Sequence, residues 1–384
     1  MKNVVIIGAS HAAAEAISTL RRQGWEHDIT LIGDEDSLPY QRPPLSKAYF
    51  SDDVTAEKLL IKNADFYEKS KVTQCIPARA ASIDREGKQV HLDDGREIPY
   101  SKLIVATGTR ARLLPVEGAE LSNLKYLRSR DDVDQIKDSL KEGSKLLIVG
   151  AGYIGLELAA SAVKQSISAT VLEVQDRVLE RVTSPEISDF FQQLHTQEGV
   201  DIRLSTGLKR FVKQDGVTFG ELNNGEQIEF DCAVVGIGVI PNVELAEEAG
   251  LACDNGIIVD EFTRTADPDI YAVGDCSNHP NLFYQRRLRL ESVPNAMAQA
   301  KTAALAICGK DVSYDQLPWF WSDQYDVKLQ TAGLMQGYDR LEVNGDPSAK
   351  KFTVSYFKDE KIIAMDAINS PADFMKAKKA IVSA

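Results

Sequence analysis

Gly150-Ala151-Gly152-Tyr153-Ile154-Gly155 is the stretch that decides the fold. An apolar run at 146–149 leads into it, and a run with helical periodicity at 154–165 follows. A second apolar run at 169–172 ends at Glu173. Strand, glycine turn, helix and strand in that order make a βαβ unit. The first glycine permits the tight turn, and the second lets backbone N–H groups approach a pyrophosphate. The third lets helix and strand pack closely. The helix N-terminus then offers partial positive charge to phosphate. Glu173 lies 23 residues after Gly150, where a carboxylate accepts the ribose hydroxyls of an adenosine. It also repels a 2′-phosphate, so NADH is expected over NADPH; Arg177, four residues on, pulls the other way. The alternative is a glycine turn kept for packing alone.

The same pattern opens the chain. Residues 4–7 read as a buried strand, Gly8 breaks it, and an alanine-rich helix is predicted over His11–Arg22 with Gly24 at its end. A second strand is predicted over 29–32. The turn here is Gly8-Ala9-Ser10-His11-Ala12-Ala13, with Ser10 in place of the second glycine and Ala13 in place of the third. Both are small enough for close approach. Asp34, or as second choice Glu35, supplies the distal acid. His11, at a helix start, reads as a surface or phosphate-side residue, not a catalytic base. Two such units in one chain form a partial internal repeat and suggest two dinucleotides. The usual partnership is FAD in one and a nicotinamide cofactor in the other, so that hydride passes between them.

Three more strand-like runs, at 103–108, 232–238 and 270–275, close on Gly108, Gly238 and Gly274-Asp275. Glycine at a strand end marks a place where a ligand or another backbone comes close. Ile237 and Gly238 therefore offer a resting place for the nicotinamide ribose. From about Val312 the composition shifts, Trp319 and Trp321 appear, and alternation at 351–357 and 361–367 predicts a small antiparallel α+β module.

Composition sets the outer limits. The chain has 384 residues, 43% of them hydrophobic and 26% charged, which excludes disorder as the main state. Against 44 Lys+Arg stand 57 Asp+Glu, a net charge of −13, so a nucleic-acid partner is not expected. No apolar run approaches about 20 residues, so no membrane span is expected. The five cysteines (Cys75, Cys232, Cys253, Cys276, Cys308) are odd in number and show no CxxC spacing. That argues against a disulfide framework or a thiolate metal cage, and for a reducing compartment such as the cytoplasm. No metal site is expected. Monomer and homodimer both stay open.

Further stretches carry a family resemblance. They are Tyr40-Gln41-Arg42-Pro43-Pro44-Leu45-Ser46-Lys47, the Ala106-Thr107-Gly108 turn, Gly274-Asp275, and Glu291-Ser292-Val293-Pro294-Asn295-Ala296. With Pro318-Trp319-Phe320-Trp321-Ser322-Asp323-Gln324 they make the chain resemble the FAD-dependent ferredoxin reductases of oxygenase systems. Rubredoxin reductases and apoptosis-inducing factor are relatives of that family. The resemblance covers nearly the whole chain. It departs in the GxSxxA form of the first turn and in ending at Ala384, so carrier contacts made by a longer tail are expected to be missing.

The resemblance implies an α/β fold, a glutathione-reductase-like flavoprotein with two dinucleotide-binding domains. FAD would be held by 1–109 and 239–313, NADH by 110–238, and 314–384 would form the C-terminal α+β domain. Implied FAD contacts are Gly8, Ser10, His11, Ala12, Asp34, Arg42, Lys47, Ala80, Ala106, Thr107, Gly108, Arg128, Gly274, Asp275, Val293, Pro294 and Trp319. Implied NAD contacts are Gly150, Gly152, Tyr153, Ile154, Gly155, Glu157, Glu173, Ile237 and Gly238. Asp275 would bond the ribityl chain, with helix capping as its alternative. Val293 and Pro294 would open a helix toward the flavin. Lys47 would approach the flavin and pair with Glu157, unless Glu157 only satisfies backbone beneath Gly155. Tyr153 would cover the flavin and swing aside for nicotinamide, or else simply pack its helix.

The activity so implied is hydride transfer from NADH to FAD, then single electrons to an iron–sulfur carrier, a ferredoxin or rubredoxin, that feeds an oxygenase. No cysteine pair lies near Pro43-Pro44-Leu45-Ser46-Lys47, so an external carrier is the natural outlet. An NADH oxidase and an NADH-dependent redox sensor are the alternatives. Arg286, Arg287 and Arg289, with Lys301, form a candidate docking patch for an acidic carrier, or a solvated loop. Trp319 and Trp321 line an electron exit or pack the small domain.

Overall fold

Strand Asn3–Ile7 is buried along its whole length because it serves two cores at once. Val4 and Ile6 face helix His11–Arg22 and helix Val293–Ile307 through Ala13, Ala16, Ile17, Ala300 and Ala304. Val5 and Ile7 face the opposite way, against Ile83, Val90 and Leu92 of a three-stranded antiparallel sheet. Period-two alternation in a strand sends successive side chains to opposite faces, so a run apolar at every position needs cover on both. Alanines on the first helix keep it close to its neighbours.

In this computed structural model, which describes residues 2–383, the chain divides into two compact units. The first takes the chain up to Gln41, Leu59–Arg110 and Ile240–Phe320; the second takes Arg42–Lys58, Ala111–Val239 and the chain from Trp321 onward. The backbone changes unit at 41/42, 58/59, 110/111, 239/240 and 320/321.

The first unit is built on a five-stranded parallel sheet in the order Ile270–Ala272, Lys102–Val105, Asn3–Ile7, Asp28–Ile32, Val72–Cys75. The second unit repeats it in the order Leu124–Tyr126, Cys232–Val235, Lys145–Val149, Ser168–Leu172, Asp201–Arg203, again all parallel. Its apolar side chains Leu147 and Val149 pack on Phe211, Leu222 and Phe230 of a second antiparallel three-stranded layer. In each sheet the strand order reverses beside the strand that leads into the glycine turn. The crevice at the carboxyl end of that strand is where open α/β sheets bind ligands.

The C-terminal part forms a five-stranded sheet in the order Trp319–Gln324, Val327–Gly333, Lys361–Ile368, Lys351–Lys358, Arg340–Asp346. Helix Pro371–Ser383 lays Phe374, Ala377 and Ile381 into the interior. The α/β class and the antiparallel end module expected from the sequence are both present. Among the described residues no helix is long and apolar enough to cross a membrane, and no cluster of His, Cys, Asp and Glu is arranged to hold a metal ion.

Candidate functional site

The two glycine turns share one geometry. Gly8 N–H donates to Ile32 O and Gly150 N–H to Leu172 O, each at 2.8 Å. Both glycines have positive φ, +108° and +111°. A Cβ on Gly8 would lie 2.2 Å from Ala106 O, and one on Gly150 2.4 Å from Gly236 O. Each turn therefore rests on the end of the neighbouring strand, and only glycine fits. That contact brings Ala106-Thr107-Gly108 beside Gly8, and Ile237-Gly238 beside Gly150. Gly108 and Gly238 also have positive φ. Gly155 packs as tightly, since its Cβ would stand 2.2 Å from Gly150 O. Gly152 is different: nothing lies within 4 Å of its Cβ position.

Helix His11–Arg22 follows Ser10, and helix Tyr153–Lys164 follows Gly152. Neither N-cap side chain bonds the helix, and neither first turn carries an acidic residue. Two helix N-termini thus keep their N–H groups and their dipole for an anion. Ser10 Oγ lies 3.4 Å from His11 Nδ1, and Ala12 is buried against the helix. The residues present fit two dinucleotides.

Glu173 stands directly after strand Ser168–Leu172. It takes the Ala151 N–H at 2.8 Å on one oxygen and the Gln175 N–H at 3.0 Å on the other. The carboxylate thus braces the glycine turn and keeps lone pairs for hydroxyl donors. Arg177 is spent elsewhere, on Thr183 O, Ser188 Oγ and Glu180 O at 2.7–2.9 Å. Its guanidinium is therefore turned to these acceptors and not to Glu173. In the first unit the register is the same but the residue after the strand differs. Ile7 pairs with Ile32 as Val149 pairs with Leu172, so Gly33, not Asp34, matches Glu173 in register. Asp34 is exposed one residue further on, and Glu35 receives the Tyr40 hydroxyl.

The 42–47 loop belongs to the second unit. A 3₁₀ turn, Pro43–Ser46, uses its prolines where no N–H is needed and delivers Ser46 and Lys47. Lys47 Nζ lies 2.5 Å from Glu157 Oε2 and 3.2 Å from Pro43 O. Ser46 Oγ donates to Glu157 Oε2 at 2.6 Å, and Ser322 Oγ to Glu157 Oε1 at 2.5 Å. The carboxylate is 93% buried and has three side-chain donors, a satisfied buried ion pair. These contacts argue against the alternative that Glu157 serves only the backbone under Gly155. Arg42 donates to Arg128 O at 2.8 Å, so these two candidates are also brought together.

The Tyr153 hydroxyl sits among Thr331, Asp366 and Tyr356. Burial first, then Asp366, hold it well above the ordinary tyrosine range. Asp366 is itself raised by burial, against which the hydroxyls of Thr183, Thr331 and Tyr356 donate at 2.6–2.7 Å. Ile154 is exposed on the same helical turn.

Within the first unit, Asp275 follows Gly274 in a short 3₁₀ turn, with Thr109 Oγ1 3.4 Å from its carboxylate. Gly274 N–H is anchored to Gln299 Oε1 at 2.7 Å. Thr107 is locked by Asn242: the Thr107 hydroxyl donates to Asn242 O, and Asn242 Nδ2 donates back to Thr107 O. Helix Val293–Ile307 begins with Pro294 in its first turn, and Ser292 Oγ already takes the Asn295 N–H at 3.3 Å. Only the Val293 N–H is then left for a ligand from these three, fewer donors than the sequence suggested. Pro294 and Trp319 line one cavity of about 290 Å³ with Tyr314 and Lys301. Ala80 is buried in strand Ala80–Asp84.

The arginine patch is smaller than expected. Arg287 donates to Val259 O and Asn278 O, and Arg289 pairs with Glu291 at 2.7 Å and reaches Asp275 O at 3.3 Å. Both hold the fold; of the three, only Arg286 is free of such work. The sequence reading missed Ser46, Ser322 and Asn242. It also missed Arg181, whose guanidinium lies 3.8 Å from the Cβ position of Gly238. Only its proximity to the turn after Glu173 hinted at it. All five cysteines are free thiols. Burial pushes Cys232 up to about 12 and Cys253 to about 11, and it raises Cys276 and Cys308 too. Thiols so held are poor nucleophiles at neutral pH.

Putidaredoxin reductase of Pseudomonas putida is 42% identical over 385 aligned positions, 99% of this chain and 91% of that protein. Rhodocoxin reductase of Rhodococcus erythropolis is 43% identical, covering 99% and 90%. The crystal structure of the covalent putidaredoxin reductase–putidaredoxin complex superposes with a TM-score of 0.95 at 41% identity, covering 99% of this chain and 93% of that one. Residues 2–300 match the pyridine nucleotide-disulphide oxidoreductase family, and residues 319–384 match the reductase C-terminal family. Two glycine turns on twin parallel sheets, followed by an antiparallel end module, are what a chain with these matches should contain, and it belongs to the pyridine nucleotide-disulphide oxidoreductases that carry a reductase C-terminal domain.

Proposed function

We propose that this chain is an NADH-dependent flavoprotein reductase that passes single electrons to an iron–sulfur carrier, a ferredoxin or rubredoxin, in an oxygenase system. One observation carries the reading: two matched dinucleotide cradles stand in one chain whose thiols are unpaired and mostly buried. When bound, FAD accepts hydride from the nicotinamide and returns the electrons one at a time. The chain supplies position and charge. Gly8, Ser10, His11 and Ala12 would receive the FAD pyrophosphate, with Asp34 toward its ribose. Ala106, Thr107, Gly108, Gly274, Asp275 and Val293 would hold the flavin half, with Pro294 and Trp319 at its edge. Arg42, Arg128 and Ala80 are further FAD contacts in this reading.

Gly150, Gly152, Ile154 and Gly155 would receive NADH, with Glu173 on its ribose and Ile237-Gly238 under its nicotinamide end. Arg181 joins this set. Lys47, held by Glu157, supplies fixed positive charge toward reduced flavin. Tyr153 would shield the flavin until nicotinamide replaces it, at the cost of moving its hydroxyl from Thr331. The functional division we adopt is 1–109 with 239–313 for FAD, 110–238 for NADH and 314–384 for the end domain. The compartment we adopt is the cytoplasm, in keeping with free thiols.

The test is NADH-driven reduction of a panel of ferredoxins and rubredoxins, with oxygen uptake followed in parallel. At least one carrier should be reduced far faster than oxygen, and NADPH should serve poorly. Protein that takes up no FAD, or NADH oxidation matched entirely by oxygen uptake, would refute the reading.

A further inference from the structure

The Lys47–Glu157 pair is one end of a longer chain of hydrogen bonds inside the second unit. Ser322 Oγ donates to Glu157 Oε1 at 2.5 Å, and Gln324 Nε2 donates to Ser322 Oγ at 3.1 Å. Gln324 Oε1 lies 2.7 Å from His195 Nε2, and the Tyr325 hydroxyl lies 3.2 Å from His195 Nδ1. From Glu157 to His195 every member is buried: 6%, 0%, 1% and 0% exposed for Glu157, Ser322, Gln324 and His195.

The direction of the chain follows from what each group can do. A carboxylate only accepts, so Ser322 gives its proton to Glu157. The serine lone pairs then take the Gln324 amide. The Gln324 carbonyl only accepts, so His195 carries its proton on Nε2. Nδ1 is left to accept from Tyr325. Turning the Gln324 amide over would set its carbonyl against a serine whose proton is already given. Every donor therefore points toward Glu157. Aligned donors reinforce one another and bring positive potential to the carboxylate. Burial, partly offset by Gln324, pushes His195 down to about 4, so the imidazole is neutral at working pH. Apolar side chains would fill the same space without the cost of burying polar groups.

We propose that Ser322, Gln324 and His195 are positioning residues acting through Glu157. With His195 fixed as its Nε2–H tautomer, they aim a one-way run of donors at the carboxylate that holds Lys47, and so tune the charge this pair presents to flavin. The proposal rests on the flavoprotein reading above.

Two measurements on the holoprotein test it. Nitrogen-15 NMR of histidine-labelled protein, with His195 assigned through His195→Gln, should show Nε2 protonated and Nδ1 bare at neutral pH. The opposite tautomer or an imidazolium would overturn the proposal. The second measurement is the flavin midpoint potential by dye equilibration. Ser322→Ala removes the last donor, leaves the carboxylate less compensated and should lower the potential. Ser322→Thr should restore it. His195→Phe should lower it, and His195→Gln, which keeps an N–H for Gln324, should not. In a Glu157→Gln background the Ser322→Ala shift should vanish. An unchanged or raised potential, or an equal shift with and without Glu157, would overturn the proposal. Thermal melts and the Thr and Gln variants separate this from misfolding. Failure to bind FAD would sink the flavoprotein reading itself, whereas yellow protein with the wrong tautomer sinks only this proposal.

Discussion

Gly152→Ala separates ligand binding from folding. Gly152 sits at φ −78° and ψ 179°, a conformation any residue adopts. Its missing Cβ points into open space, with nothing within 4 Å. Alanine is the poorer N-cap by roughly 0.5–1 kcal/mol. Reduced freedom of the unfolded chain returns about 0.4–1 kcal/mol. The two offset, and at about 2–4 °C per kcal/mol the melting temperature should stay within about 2 °C. NADH binding should respond quite differently. If the pyrophosphate lies over this turn, the methyl stands where an oxygen meets the helix N–H groups. Losing one hydrogen bond to a charged group costs about 1.5–3 kcal/mol, which is roughly 10- to 150-fold in Kd. The assay is flavin reduction at varied NADH, with FAD content read from visible absorbance as the internal control. An NADH affinity within about threefold of the parent, at an unchanged melting temperature, would refute the placement of the pyrophosphate.

Other outcomes follow from the same geometry. Gly155→Ala puts a Cβ 2.2 Å from Gly150 O, an overpacking cost of about 1–3 kcal/mol that thermal melts should show as a clear drop; an unchanged melt would contradict it. Lys47→Met strands a buried carboxylate and should cost about 3 kcal/mol in urea melts, most of it regained by adding Glu157→Gln. Arg287→Ala should lower stability through its lost backbone acceptors and leave the salt dependence of carrier reduction unchanged. Stability should also fall with acid. His195 and His279 are each pushed by burial from 6.5 to about 4, so between those values the unfolded chain binds more protons, and each contributes on the order of 3 kcal/mol that is complete near pH 7 and lost by pH 4. His279→Gln should flatten part of that slope in melts taken across the range.

The sheets were readable in the residues because their apolar runs are short and close on glycine, which favours strands covered on both faces over buried helices. Glu173 was readable because it follows its strand directly. Its counterpart was harder, since Gly33 occupies the matching register and pushes the acid one residue out. The partners of Glu157 were hidden for another reason. Ser46 and Ser322 reach it from 111 and 165 residues away, and a pairing at that distance leaves no periodic trace. Arg287 and Arg289 look like a surface patch in the sequence. Only coordinates reveal that their acceptors are mostly carbonyls of neighbouring turns.

The repeated passage of the backbone from one unit to the other has a consequence for how the protein is made. Lys47 leaves the ribosome 275 residues before Ser322. At about 5–20 residues per second the nascent chain waits roughly 15–55 s before that serine can join Glu157. During synthesis the Lys47–Glu157 pair therefore stands without its Ser322 donor until most of the chain has been made.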